Sequence, residues 1–165
     1  MILGLLSDTH DNLPNVLKAL AIFQQEKPDA LIHCGDITDP DTVTLLHPYR
    51  LYCAFGNMDF QQDALRQAIR RLDEDNRAGL VLELDFNGIA AAVSHGHQRE
   101  VLEELIHSGR YAYVFHGHTH RRRDERIGAT RVINPGALSG VRSGKASVAC
   151  LNLVQDELQF FELPR

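Results

Sequence analysis

Short apolar runs alternate with amphipathic stretches through the first half of the chain, and each apolar run stops at a polar residue. Residues 2–7 read as a buried strand that gives out at Asp8-Thr9-His10. Over residues 12–27, Leu13, Val16, Leu17, Leu20 and Phe23 recur at helical spacing, with Pro14 in the first turn and Pro28 just beyond the end. This predicts a helix lying on a sheet. A second buried strand over 30–34 ends at Gly35-Asp36, and a third over 51–55 ends at Gly56-Asn57-Met58-Asp59; between them, Pro40 and Pro48 bracket a short helix. Asp59 and Gln62 have the spacing of a capping box ahead of Ala64, Leu65, Ala68, Ile69 and Leu72 on one helical face. Strands alternating with helices imply a parallel sheet with right-handed crossovers.

The pattern changes after Gly79. Residues 81–86 and 89–94 flank Asn87-Gly88, a type I′ hairpin signal, and the second of these strands runs into His95-Gly96-His97. A helix with Val101, Leu102, Leu105 and Ile106 on one face follows, then a strand over 111–115 that ends at His116-Gly117-His118-Thr119-His120. Residues 124–127, 130–134, 147–154 and 157–163 read as antiparallel hairpins that build a second sheet. With no repeat, low-complexity segment or linker, the expectation is a single α/β domain over residues 1–165.

Composition narrows the field only slightly. At 165 residues, 44% hydrophobic and 24% charged, the chain suits one domain with a full core, and a net charge of -5 speaks against a nucleic-acid-binding surface. Cys34, Cys53 and Cys150 are widely spaced in apolar runs and fit small core residues carrying free thiols. No run approaches the roughly 20 apolar residues of a membrane helix. The first run is too short for a signal peptide, whose removal would also strip Asp8 and His10. A cytoplasmic location without a membrane partner is expected.

The strand ends carry the chemistry. In order they supply Asp8, His10, Asp36, Asn57, His95, His118 and His120. Singly, Asp and Asn are favoured in turns and caps for local reasons. Together they crowd one edge of the sheets, which independent turns have no reason to share. Four imidazoles, one amide and two carboxylates suit two divalent transition metals, manganese foremost, with nickel, iron, zinc or cobalt as alternatives to the harder magnesium and calcium. Two such ions leave a positive site, which wants an anion such as a phosphate ester. Metals about 3.5–4 Å apart can bring a bridging water toward a pKa of ~7 and hold both non-bridging oxygens during in-line attack.

The series Asp8-x-His10, Gly35-Asp36, Gly56-Asn57, His95-Gly96-His97 and Gly117-His118-x-His120 resembles the calcineurin-like metallophosphoesterase superfamily, in particular its small bacterial and archaeal phosphodiesterases. The resemblance runs from residue 2 to about residue 140. It implies a four-layer α/β/β/α sandwich of two mixed sheets with the metals at the rim. It also implies a division of ligands: Asp8, His10, Asp36 and His120 around one ion, Asp36, Asn57, His95 and His118 around the other, with Asp36 as the bridge. The activity implied is hydrolysis of a small phosphodiester by a metal-bridging hydroxide. A phosphomonoesterase, or a non-catalytic scaffold like a retromer subunit of the same fold, are the alternatives.

One position departs from the family pattern: Met58 stands where many members have a histidine that serves as general acid. The proton then falls to metal-bound water or to His97. Asp59 is expected to cap its helix, with bracing of a ligand histidine as the second option. His33 and His116, inside apolar strands, read as core or bracing residues. Arg121, Arg122 and Arg123 follow His120 directly and would draw anions in, with Arg121 and Arg142 as candidate substrate contacts. Residues 134–137 are similar to a family loop near the site and locally read as a turn. An exposed edge strand in the hairpin half offers a route to a homo-oligomer.

Overall fold

A computed structural model describes residues 1–139 and 145–164. Strand β1 (Ile2–Leu6) leads through helix α1 (Leu13–Glu26) to β2 (Ala30–His33), then through α2 (Pro40–Leu45) to β3 (Arg50–Ala54) and through α3 (Gln62–Leu72) to β4 (Arg77–Gly79). These four strands lie side by side and parallel, in the order of the sequence. The second half runs β5 (Val81–Asp85), β6 (Ala90–Ser94), α4 (Arg99–His107), β7 (Tyr113–Phe115), β8 (Arg123–Ile127), β9 (Thr130–Asn134), β10 (Ser147–Asn152) and β11 (Glu157–Glu162).

Strand alternation sorts the apolar side chains into layers. Leu3 and Leu5 of β1, Ala30 and Ile32 of β2 and Ala149 and Leu151 of β10 face Leu82, Leu84, Ala91, Val93, Phe115 and Ile133, making the core between two sheets. On the other face of the first sheet, Leu31, Leu51, Cys53 and Val148 meet Val16, Phe23, Leu65 and Ile69 from the helices. Helix α4 sets Leu102, Leu105 and Ile106 against Val114 and Val132 of the second sheet. The result is the expected α/β/β/α order of two mixed sheets.

Local signals were read correctly where their chemistry is local. Asn12 accepts from the Asn15 N–H and caps α1, Lys27 closes it in a left-handed conformation, and Asn87 and Gly88 both take positive φ (56° and 89°) in the β5–β6 turn. All three cysteines are buried and free, and burial raises each thiol. Three expectations fail. The β10–β11 hairpin does not join the second sheet: β10 pairs with β1, giving the order β11-β10-β1-β2-β3-β4, while the second sheet is β5-β6-β7-β9-β8. Within that second sheet β6, β7 and β9 run parallel, so only its two edge pairs are antiparallel. Helix α3 is also not capped by Asp59, because it starts after Gln61 with no side-chain cap.

Candidate metal centre

Parallel strands release their chains at the same edge, and here two parallel sets face each other. Beyond β1, β2 and β3 lie residues 7–10, 35–36 and 56–59; beyond β6 and β7 lie 95–97 and 116–120. Cross-sheet bonds sew the loops together: His95 Nδ1 to the Cys34 carbonyl (2.8 Å), Gly117 N–H to the His95 carbonyl (3.0 Å), and His118 N–H to Asp8 Oδ2 (3.1 Å). Asp8, His10, Asp36, His118 and His120 all hold positive φ, between 42° and 66°. Such backbone costs about 1 kcal/mol or more per residue and persists where surrounding structure imposes it, commonly at functional sites.

The glycines of the motifs make room for this crowding. A Cβ on Gly56 would come within 2.0 Å of Asp36 Oδ1, and one on Gly117 within 1.9 Å of Ser7 Oγ and 2.8 Å of Asp8 Oδ2. Any side chain there would displace a carboxylate of the cluster.

Five of the seven candidate side chains, those of Asp8, His10, Asp36, His95 and His120, converge. Asp8 Oδ1 is 3.1 Å from His120 Nε2, 3.9 Å from His10 Nε2 and 4.0 Å from His95 Nε2. Asp36 Oδ2 lies 3.3 Å from His95 Nε2 and 3.7 Å from His10 Nε2. Two groups therefore have metal-ligand spacing, Asp8 with His10 and His120, and Asp8 with Asp36 and His95, their donor atoms all within 4.8 Å of one another. His118 stands at the margin, its ring 5.1 Å from that of His95. Asn57 is exposed on the loop just past β3. Arg142 lies outside the described residues.

These donors fit a cation. A carbonyl oxygen only accepts, so His95 Nδ1 carries the ring's proton toward Cys34, and neutral His95 aims the Nε2 lone pair at two carboxylates. That nitrogen and Asp8 Oδ1 are buried without a hydrogen bond. Two carboxylates at 0% and 2% exposure, opposed by lone pairs, require positive charge between them. Burial disfavours the imidazolium of His95, yet Asp36 and Asp8 outweigh it and hold the His95 pKa above its usual value. In the metal-free protein, a proton is what the carboxylates recruit.

Ser7 escaped the sequence reading, and the partners of Asp59 and Asn134 were not legible in it. Ser7 Oγ donates to Asp8 Oδ2 (2.6 Å). The Asp59 carboxylate accepts backbone N–H groups from Gly56 (2.6 Å), Thr38 (2.8 Å) and Asp36 (3.0 Å), latching the Asp36 loop to the Asn57 loop. Asn134 Nδ2 donates to the Gly117 carbonyl (2.8 Å) and Thr119 Oγ1 (3.1 Å) and fixes the loop that carries His118 and His120. The signal they share is position, a polar residue at or just beyond a strand end. The basic run is largely neutralised: Arg122 pairs with Glu162 and Arg123 with Glu125, both at 2.8 Å. Arg121 is exposed and, among the described residues, outside any ion pair.

His33 is a buried brace, as read from its strand. Gly35 N–H donates to His33 Nδ1 (3.2 Å), so the ring proton sits on Nε2 facing Thr9 Oγ1 (3.2 Å), which donates to the Asp36 carbonyl (3.1 Å). Burial, reinforced by His95, lowers its pKa from 6.5 to about 3, and burial lowers His116 to about 4. Both are neutral when folded but take up protons below about pH 6.5 when unfolded. Their stabilisation is therefore complete above that pH and is lost as pH falls toward the folded values. The metal-stripped protein should lose up to about 1.4 kcal/mol per pH unit for each histidine in that window. Urea unfolding at pH 7, 6 and 5 measures it, and a flat profile contradicts it.

A model of the calcineurin-like phosphoesterase superfamily domain matches residues 1–156. The chain belongs to that superfamily. This calcineurin-like chain is 33% identical over 159 residues to phosphodiesterase MJ0936 of Methanocaldococcus jannaschii, across 95% of this chain and 96% of that protein. The solved structure of an archaeal phosphodiesterase superposes with a TM-score of 0.93 at 32% identity, covering 99% of this chain and 100% of that one. Vps29 from Entamoeba histolytica, solved in complex with zinc, gives 0.72 at 18% identity over 98% of this chain and 91% of its own, which shows a shared fold. The resemblance carried by the five motifs is confirmed at the level of family and architecture. No helix among the described residues is long and apolar enough to cross a membrane.

Proposed function

We propose that the chain is a binuclear metal-dependent phosphodiesterase acting on small phosphodiesters. What supports this most is the facing of the His95 Nε2 lone pair and two buried carboxylates, a geometry that asks for divalent cations, in a chain related over nearly its whole length to a phosphodiesterase. Asp8, His10, Asp36 and His120 would hold one ion and Asp36, Asn57, His95 and His118 the other, with manganese the first choice for this nitrogen-rich set. Bound there, two such ions would acidify water and seat the phosphoryl oxygens.

The protein's own groups do the rest. Ser7 and the His118 N–H fix Asp8, Asp59 fixes the Asp36 loop, and His33 with Thr9 ties the Asp8 and Asp36 loops together. His97 is the candidate to protonate the leaving group. Its ring is 5.5 Å from His95 and 6.3 Å from His118, and burial with those two imidazoles lowers its pKa. It thus gives up a proton readily, and its acid role should fade as pH rises. His97→Gln should slow substrates with poor, alkoxide leaving groups by about a hundredfold and spare p-nitrophenolate esters. Unchanged rates on both classes would remove His97 from the chemistry. Arg121 is the candidate to steer anions inward.

A scaffold role rests on the fold likeness alone, whereas all seven ligand positions are filled here. Reconstitution with manganese followed by a panel of aryl and alkyl mono- and diesters tests the reading, with diesters expected to be the better substrates. Preference for monoesters would replace the diesterase with a phosphomonoesterase.

A further inference from the structure

Beside the metal cluster is a cavity of about 340 Å³ lined by His10, Asp11, Thr38, Met58, Phe60 and Gln61. It shares His10 with the cluster, and its volume is that of a small-ligand site. Two of its walls are out of keeping with a polar rim. Phe60 is 80% exposed and Met58 41%, and neither belongs to any of the three hydrophobic cores. Leaving a phenylalanine in water forgoes about 1.5–3 kcal/mol of burial.

The turn that presents these side chains is held by hydrogen bonds at several points. The Phe60 N–H bonds the Met58 carbonyl (3.0 Å) and the Met58 N–H bonds Asp36 Oδ1 (2.8 Å). Between them, buried Asp59 anchors the turn through the Gly56 N–H and the Asp36 loop through the Asp36 and Thr38 N–H groups. One carboxylate therefore sets both the position of a proposed metal ligand and the position of an aromatic and a thioether next to it.

From this we infer that Met58 and Phe60 form a shelf for an aromatic substituent of the phosphate ester, a planar ring packed against the Phe60 face and the Met58 sulfur while the phosphate sits at the metal cluster. The inference rests on the phosphodiesterase reading and narrows it to esters bearing an aryl ring or a nucleobase. Offset aromatic stacking and sulfur–aromatic contact are what these two side chains offer, and neither gains comparably from a methyl or ethyl group. Met58, which stands where a histidine would supply a proton, thereby has a role of its own in selecting substrate.

The chain's two methionines make the shelf observable. Met1 precedes β1, whose length puts it roughly 17 Å from the strand end that leads into the site. With ¹³C-methyl methionine and diamagnetic zinc in the cluster, phenylphosphonate should shift the Met58 methyl by ring current and leave Met1 in place, whereas methylphosphonate should move neither appreciably. Adenosine 5′-phosphate divides the two sources of a ring: a Met58 shift larger than that of phenylphosphonate assigns the shelf to a nucleobase, a smaller one to an aryl ester. Phe60→Ala should weaken phenylphosphonate about tenfold relative to methylphosphonate, whose affinity is the internal reference. Binding of both phosphonates with no selective Met58 shift and no change in that ratio overturns the shelf and leaves the phosphodiesterase reading standing. If the zinc-loaded protein binds no phosphonate at all, the phosphodiesterase reading fails and the shelf with it.

Discussion

Asp36→Ala should lower phosphodiester turnover by about a thousandfold, the scale on which one preorganised electrostatic group acts, and should abolish tight binding of both metal ions. The reason lies in how evenly its carboxylate is shared. Asp36 Oδ2 is 3.3 Å from His95 and 3.7 Å from His10, so a single oxygen serves the histidines proposed for different ions, while Oδ1 is pinned by the Met58 N–H. Asp8 leans to one side: its Oδ1 is 3.1 Å from His120 but 4.0 Å from His95, and its other oxygen is taken by Ser7 and the His118 N–H. Asp8→Ala should therefore cost mainly the ion held with His10 and His120. Metal content of the two variants after equilibrium dialysis separates the roles. Equal loss from both would mean that Asp8 bridges as well, as the placing of Asp8 in both ligand groups allows.

Asp59→Ala should destabilise the metal-free protein by about 3 kcal/mol or more, since it leaves three backbone N–H groups without their acceptor, each worth about 1–3 kcal/mol when buried and unpaired. Gly56, Asp36 and Thr38 supply those donors, and Asp59 itself is only 2% exposed. Burial raises its carboxyl pKa, against the pull of the N–H bonds, so Asp59→Asn, which keeps one acceptor oxygen without the charge, should fall between wild type and alanine. Urea midpoints of the three proteins give the comparison. A loss under about 1 kcal/mol for alanine, typical of a helix cap, would return Asp59 to the capping role its spacing suggested.

The contrast between Asp36 and Asp59 shows what the sequence could carry. The meeting of Asp8, His10, Asp36, His95 and His120 was legible because parallel strands deliver their last residues to one edge, so an acid or histidine after each apolar run already implies convergence. Asp59 was misread because a capping box and a loop latch share the same local spacing; only the approach of the β2 and β3 loops, set by tertiary packing, decides between them. Ser7 was passed over, and Asn134 was read only as part of a turn near the site, for the same reason, their partners being Asp8 for the one and Gly117 and Thr119 for the other. At the level of the fold, the period of every strand but β4 was plain, but which sheet a hairpin joins is a long-range choice. The β10–β11 pair was assigned to the sheet nearest in sequence, whereas β10 pairs with β1 in the first and buries Ala149 and Leu151 between the sheets. Strand β4, three residues long and held only by β3, has too little pattern to be seen.

Two divalent ions are proposed as the working parts of this site. Titrating chelator-stripped protein with manganese, while following hydrolysis of bis(p-nitrophenyl) phosphate, puts that proposal to the test. Two equivalents bound per chain, with full turnover reached only as the second site fills, is the predicted result. Protein that binds no manganese and turns over no diester, in manganese or in nickel, would contradict it.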